Sequence, residues 1–283
     1  MRRRAAPGTG PALPASAFPS VGTADKIGAM TANQSFKDHF SGHAADYANA
    51  RPVYPPALAA ALAQLAPGHA LALDCGCGSG QLSTLLAAHF ERVVATDASA
   101  AQIKNAVPHP KVEYRVAPAE ASGLPDHCAD LVVAAQAAHW FDLPAFFREV
   151  DRVARPGGLA ALVGYGRMRI DGEIDVAMTR FHDVTVGPHW PPERALVEGG
   201  YAAIDFPYPP IKGPTLEMTA SWSLGQVMAY LATWSAVKAY EKATDSTPLP
   251  AIERELASLW GDPATRRTVR WPLFMRLGTV GRR

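Results

Sequence analysis

One short segment constrains the fold more than any other: Leu73-Asp74-Cys75-Gly76-Cys77-Gly78-Ser79-Gly80. Three glycines at alternate positions let a backbone turn sharply and let a ligand approach without meeting a Cβ. Before the turn, Ala70 to Asp74 is short and apolar, which predicts a buried strand. After it, Gln81 to Phe90 has a helical pattern. The first turn of such a helix offers unpaired N–H groups and the positive end of the helix dipole. Strand, glycine turn and helix in this order open a nucleotide-binding α/β sheet.

The remaining chain extends that pattern. Pro55 to Leu65 reads as a helix, with Pro56 in its first turn and Pro67-Gly68 past its end. Arg92 to Asp97, Lys111 to Ala117, Ala129 to Ala135 and Leu159 to Tyr165 read as four further strands. Ser99 is placed to cap a helix that stops before Pro108. Leu143 to Ala154 is a helix ended by Arg155-Pro156-Gly157-Gly158. Five strand-and-helix units predict a doubly wound, mostly parallel sheet with helices on both faces. Right-handed crossovers put the strand C-termini on one edge, where such sheets bind ligands.

After Tyr165 the rhythm changes. Residues 170–200 look helical, Tyr201 to Pro210 reads as a short strand, and Trp222 to Tyr240 and Pro250 to Trp260 look helical. Thr268 to Gly278 is a final strand. Segments at about 170–200 and 212–262 are expected to form a small helical lid carrying Trp222, Tyr230, Trp234 and Tyr240.

Composition bounds the partners. The chain has 283 residues, 48% apolar and 19% charged, with net charge +1, which suits one globular domain over 31–283. Residues 1–30 carry four basic side chains against one acidic, so no basic footprint for a nucleic acid remains in the domain. That Ala-, Pro- and Gly-rich stretch reads as a disordered extension without the apolar core of a secretory signal, and Met30 is an alternative start. No apolar run approaches the roughly 20 residues of a membrane span. Cys75, Cys77 and Cys128 fit neither a disulfide framework nor a metal site. Reduced thiols suit a cytoplasmic protein. Oligomeric state is not written in the sequence.

Spacing separates the cofactor candidates. A dinucleotide fingerprint, G-x-G-x-x-G, would need its third glycine at position 81, where Gln81 stands; here the third is Gly80. Asp97 follows at the end of the next strand, at the distance expected of a ribose-hydroxyl acceptor. Together they favour S-adenosyl-L-methionine, whose carboxylate suits a helix N-terminus. A nicotinamide-dependent oxidoreductase and a non-catalytic S-adenosylmethionine-binding protein remain as alternatives.

From about Phe36 onward the sequence resembles the class I methyltransferases, in particular methyltransferase type 11. The likeness is carried by Asp74-x-Gly76-x-Gly78-x-Gly80, by Asp97, by Ala117-Pro118-Ala119-Glu120 with Leu124-Pro125, by Asp130-Leu131-Val132-Val133, and by Arg152-Val153-Ala154-Arg155-Pro156-Gly157-Gly158. His139-Trp140-Phe141-Asp142, with Tyr47-Ala48-Asn49-Ala50-Arg51-Pro52-x-Tyr54-Pro55, is similar to the branch of trans-aconitate and cantharidin-related methyltransferases. The resemblance implies a Rossmann-like sheet of seven strands with the last antiparallel. It implies cofactor contacts from Asp74, Gly76, Cys77, Gly78, Gly80, Asp97, Ala98, Ala119, Glu120 and Gln136. Tyr47 and Arg51 would fold over the cofactor, unless Arg51-Pro52 and Tyr54-Pro55 only shape a turn. His139, Trp140, Trp222 and Trp234 are the expected acceptor contacts. His139 is the candidate general base; orienting the substrate or packing on Trp140 are its other readings. The Asn-Pro-Pro-Tyr motif of adenine N-methylation is replaced by Gln136-Ala137-Ala138-His139, which argues against DNA. The expected reaction is methyl transfer to an oxygen of a small carboxylic acid.

Overall fold

The structure, a computed structural model, describes residues 51–281. The expectations for residues 1–30 and for Tyr47 lie outside the described residues.

The first described helix, α1 (Pro56–Leu65), buries Leu58, Ala59, Leu62 and Ala63. It leads to β1 (Leu71–Cys75), buried along its whole length. The sequence then alternates α2 (Gln81–Leu86), β2 (Arg92–Asp97), α3 (Ala100–Lys104), β3 (Val112–Val116), β4 (Ala129–Ala135), α4 (Leu143–Val153) and β5 (Ala154–Tyr165). The caps are local chemistry: the Ser99 side chain accepts from the Gln102 N–H and the Asp142 carboxylate from that of Ala145. Beyond β5 come α5 (Gly172–Arg180), α6 (Arg194–Glu198), β6 (Pro210–Ile211), β7 (Glu217–Trp222), α7 (Leu224–Ala232), α8 (Ser235–Thr244), α9 (Leu249–Trp260) and β8 (Arg267–Thr279).

Strands β3, β2, β1, β4 and β5 are parallel in that order. β8 runs antiparallel beside β5, with Leu159 opposite Thr279 and Tyr165 opposite Leu273. β6 and β7 both pair antiparallel with β8, β7 along its first half. β1 lies between β2 and β4, so the chain changes direction across the sheet there, and the crevice at these strand ends is where ligands of such sheets bind. The core has two parts, one on each side of the sheet.

Three expectations are corrected. The sheet has eight strands among the described residues rather than seven, because β7 is a strand where the second lid segment was expected. Its alternation, with Met218 and Trp222 buried between exposed neighbours, has period 2; Trp222 therefore ends a strand instead of opening a helix. Tyr201 to Pro210 is not a strand, and only Pro210 enters one. Gly200 and Tyr201 have φ of 62° and 59°, and the Arg276 guanidinium takes the carbonyls of Tyr201, Ala202 and Ile204, which removes them from any ladder. The helix expected to reach Phe90 stops at Leu86, and Lys111 Nζ holds the carbonyls of Ala87 and Phe90 beyond it. Its shortness weakens the dipole argument made for its N-terminus.

Candidate cofactor and acceptor site

The three turn glycines do different work. All are left-handed, with φ of 68° at Gly76, 56° at Gly78 and 82° at Gly80. A Cβ on Gly76 would lie 2.6 Å from that of Ala137 and 3.1 Å from the Phe141 ring, and one on Gly80 would overlap the Tyr114 hydroxyl. These two let the turn pack against its neighbours. Beside Gly78 the nearest side-chain atom is 3.8 Å away. Gly78 is thus the glycine that faces open space, the cradle a ligand would fill.

Asp97 closes the turn. One carboxylate oxygen accepts from the Gly78 N–H at 2.9 Å and the other from the Ser99 N–H at 2.8 Å. Cys77 donates its N–H to Thr96, so the turn is stitched to β2 on both sides of the acid. Burial pushes the Cys77 thiol far up, which leaves it a protonated wall. Ala98 is exposed beside Asp97, and Ala119 is buried after β3.

Asp74 lies beneath the turn, 1% exposed. One oxygen accepts from the Ser83 hydroxyl at 2.6 Å; the other is buried and has no partner among the described residues. Burial pushes its carboxyl up to about 7, the Ser83 bond opposing and the Asp97 charge adding to the rise. An orphaned carboxylate oxygen next to an open cradle fits a ligand that brings a cationic group, as the methionine end of S-adenosylmethionine does.

The segment before α1 is tied over this edge by a residue singled out only as a missing glycine. Gln81 accepts from the Tyr54 N–H at 2.9 Å and donates to the Pro52 carbonyl at 3.2 Å. Arg51 donates to the Tyr165 hydroxyl at 3.0 Å, and Tyr54 meets the Tyr165 ring edge-on. Gln136 is left-handed, with φ 55°, and accepts from the Tyr165 N–H. Its side chain joins β4 to β5 and positions Tyr165. Glu120 accepts from the Asp142 N–H at 2.8 Å and so pins the loop that carries His139 to Asp142.

His139 sits in a 3-10 turn, Ala138–Trp140, just past β4. Its ring lies 4.8 Å from that of Trp140, and its Nδ1 is 2.9 Å from the Tyr201 hydroxyl. Burial pushes the imidazole down to about 3, and the charges of Arg194 and Arg51 add to the fall. The ring is neutral at physiological pH. Proton transfer is most efficient from a base whose pKa lies near the operating pH, so the structure argues against His139 as a general base. Arg194 stacks over Trp190 at 4.8 Å and pairs with Glu198. A cavity of about 250 Å³ opens there, lined by Met178, His182, Arg194, Tyr230, Trp234 and the Gly166–Arg169 segment. Trp234 is brought to this cavity; Trp222 packs instead on Trp271 and Tyr230 in the core. Trp140 stays beside His139. Tyr165, Arg194 and Tyr201 went unnoticed in the sequence; for Tyr201 the Gly199-Gly200 pair before it was the available signal. Among the described residues no cluster of His, Cys, Asp and Glu could hold a metal ion, and no helix is long and apolar enough to cross a membrane.

The chain has known relatives. Residues 73–162 match the family described as Methyltransferase domain. A protein of Dictyostelium discoideum described as a methyltransferase is 33% identical over 250 residues, covering 86% of this chain and 95% of its own. An Aspergillus candidus methyltransferase is 29% identical and matches half of each chain. A solved structure described as a type II methyltransferase from Anaeromyxobacter dehalogenans is 47% identical with a TM-score of 0.77, covering 81% of this chain and 97% of its own. These relatives, with which the glycine spacing agrees, set the nicotinamide alternative aside. The chain belongs to the class I S-adenosylmethionine-dependent methyltransferases.

Proposed function

We propose that this enzyme transfers the methyl group of S-adenosylmethionine to a carboxylate oxygen of a small molecule. The observation that carries the acceptor class is the state of His139. The imidazole nearest the end of β4 is neutral, buried and a poor base. A phenol or alcohol needs a base to become a nucleophile, whereas a carboxylate arrives ionised at pH 7. The charges of Arg194 and Arg51 both reach this point, and an anion is favoured there.

S-adenosylmethionine supplies an activated methyl on a positively charged sulfur that leaves as a neutral thioether. The chain's residues bind and orient. Gly78 gives the cofactor room, and Asp97 offers its carboxylate to the ribose hydroxyls. Asp74 offers its unpartnered oxygen to a cationic group. Gln81, Tyr54 and Arg51 hold the leading segment over the strand ends, which excludes water. Arg194 and the aromatic wall at Trp234 align the acceptor; alignment alone supplies several kcal/mol.

The test is turnover to S-adenosylhomocysteine with a panel of small carboxylic acids, phenols and amines, read by mass spectrometry. Methyl ester formation on carboxylic acids, weakened at least about tenfold in KM by Arg194→Gln, is expected. Methylation of phenols or amines alone would overturn the acceptor class. Cofactor binding with no turnover on any acceptor would favour a binding-only role.

A further inference from the structure

Tyr201 is the most constrained side chain of the site. Its residue is wholly buried, its φ is 59°, and Arg276 grips its carbonyl at 2.8 Å. Phe274, also from β8, meets its ring edge-on at 5.1 Å. The Tyr201 N–H also closes the turn onto the Leu196 carbonyl, so the backbone that aims this side chain is fixed from both sides. Its hydroxyl points at Nδ1 of His139.

We propose that Tyr201 is a positioning residue for methyl transfer: its hydroxyl donates to Nδ1 of His139 and thereby fixes the tautomer that presents Nε2–H to the acceptor. The direction of the bond follows from what each group has left. Among the described residues the Tyr201 hydroxyl meets His139 twice, at Nδ1 and at its backbone N–H, and only Nδ1 can take the hydroxyl proton. Were it to accept from Nδ1–H, its own proton would be buried without an acceptor, the more costly arrangement. Burial holds the phenol protonated, so the donor is present throughout the physiological range. The charged groups facing the imidazole are Arg51 and Arg194, and both oppose a second ring proton. His139 is therefore a neutral N–H donor of fixed direction. Resting on the carboxylate reading above, the group that takes this bond is the acceptor oxygen that is not methylated. A donor there orients the carboxylate and leaves its other oxygen as the nucleophile.

The experiment uses the full chain with 15N-labelled histidine, bound to S-adenosylhomocysteine. The His139 signals are picked out of the nine histidines by comparison with His139→Gln. The expected spectrum has Nδ1 without a proton and Nε2 with one, unchanged from about pH 5.5 to 8.5. In Tyr201→Phe, which keeps the ring packed on Phe274, His139 should become a mixture of tautomers. On a carboxylic acid that is turned over, Tyr201→Phe should raise KM about tenfold, leave kcat within about twofold, and leave the pH profile unshifted. A proton on Nδ1 in the wild type, titration of His139 near its ordinary pKa, or an unchanged KM in Tyr201→Phe would each overturn the proposal. The tautomer is read without any acceptor. If no carboxylic acid is methylated, the acceptor class fails while the spectrum still decides the role of Tyr201.

Discussion

The glycines of the turn invite a paired substitution, because the structure gives Gly78 and Gly80 opposite surroundings. Both are left-handed, and alanine in that region costs about 1–2 kcal/mol. For Gly78→Ala little is added, since the nearest side-chain atom is 3.8 Å from the new methyl. For Gly80→Ala the methyl overlaps the Tyr114 hydroxyl and ring. Tyr114 must move and give up its bond to the Val107 carbonyl at 2.8 Å. Overpacking of this kind costs roughly 1–3 kcal/mol and the lost bond about 1 more. In a domain of this size each kcal/mol lowers Tm by about 2–4 °C. Gly78→Ala should therefore lose about 2–8 °C and Gly80→Ala about 6–24 °C. Cofactor affinity should run the other way. The Gly78 methyl enters the open cradle and weakens S-adenosylhomocysteine binding at least about tenfold. Gly80→Ala, assayed well below its Tm, should lose less. Scanning calorimetry gives the first ordering and titration calorimetry the second. Equal Tm losses, or unchanged affinity in Gly78→Ala, would refute the division of roles.

Other consequences follow from the buried carboxylates. Asp74 has a folded pKa of about 7, above its ordinary value. Its contribution to the stability of the free protein is therefore full at acid pH and is lost as pH rises from about 4 to 7, by up to about 4 kcal/mol; denaturation between pH 5 and 8 should show this fall, and Asp74→Asn should remove it. A cationic ligand group reverses the effect, so affinity for S-adenosylmethionine should climb through pH 7 in the wild type and stay flat in Asp74→Asn. At the opposite end of the sheet Asp130 accepts from the Ala70 and Leu71 N–H groups and pairs with Arg155 at 2.8 Å. Asp130→Ala leaves those donors buried and should cost about 2–4 kcal/mol by urea denaturation, with cofactor affinity in the folded fraction unchanged.

Much of the fold could be read because buried parallel strands leave a simple trace. β2 and β4 lie at the residues expected of them, Arg92–Asp97 and Ala129–Ala135, since strands covered on both faces are continuous apolar runs bounded by polar turns. β7 was hidden because its six-residue alternation, Glu217 to Trp222, is short and runs directly into the helical pattern of α7. The site divides along the same line. Asp97 and the glycines were legible, being local features of one strand-turn-helix unit. The Gln81 clamp joins residues 27 and 29 apart, the Arg51–Tyr165 bond spans 114, and the His139–Tyr201 bond spans 62. Such contacts exist only once the sheet has brought distant segments to one edge. The same burial decides between the readings left open for His139 by making it a neutral imidazole, and burial by remote residues leaves no local mark in a sequence.

The proposed S-adenosylmethionine site is the Asp74–Asp97 edge. Titration calorimetry of the full chain with S-adenosylhomocysteine, alongside NAD, tests it most directly. One site per chain is expected for S-adenosylhomocysteine, weakened about a hundredfold or more by Asp97→Ala, with no heat from NAD. Equal affinity in wild type and Asp97→Ala, or NAD binding that competes with S-adenosylhomocysteine, would contradict it.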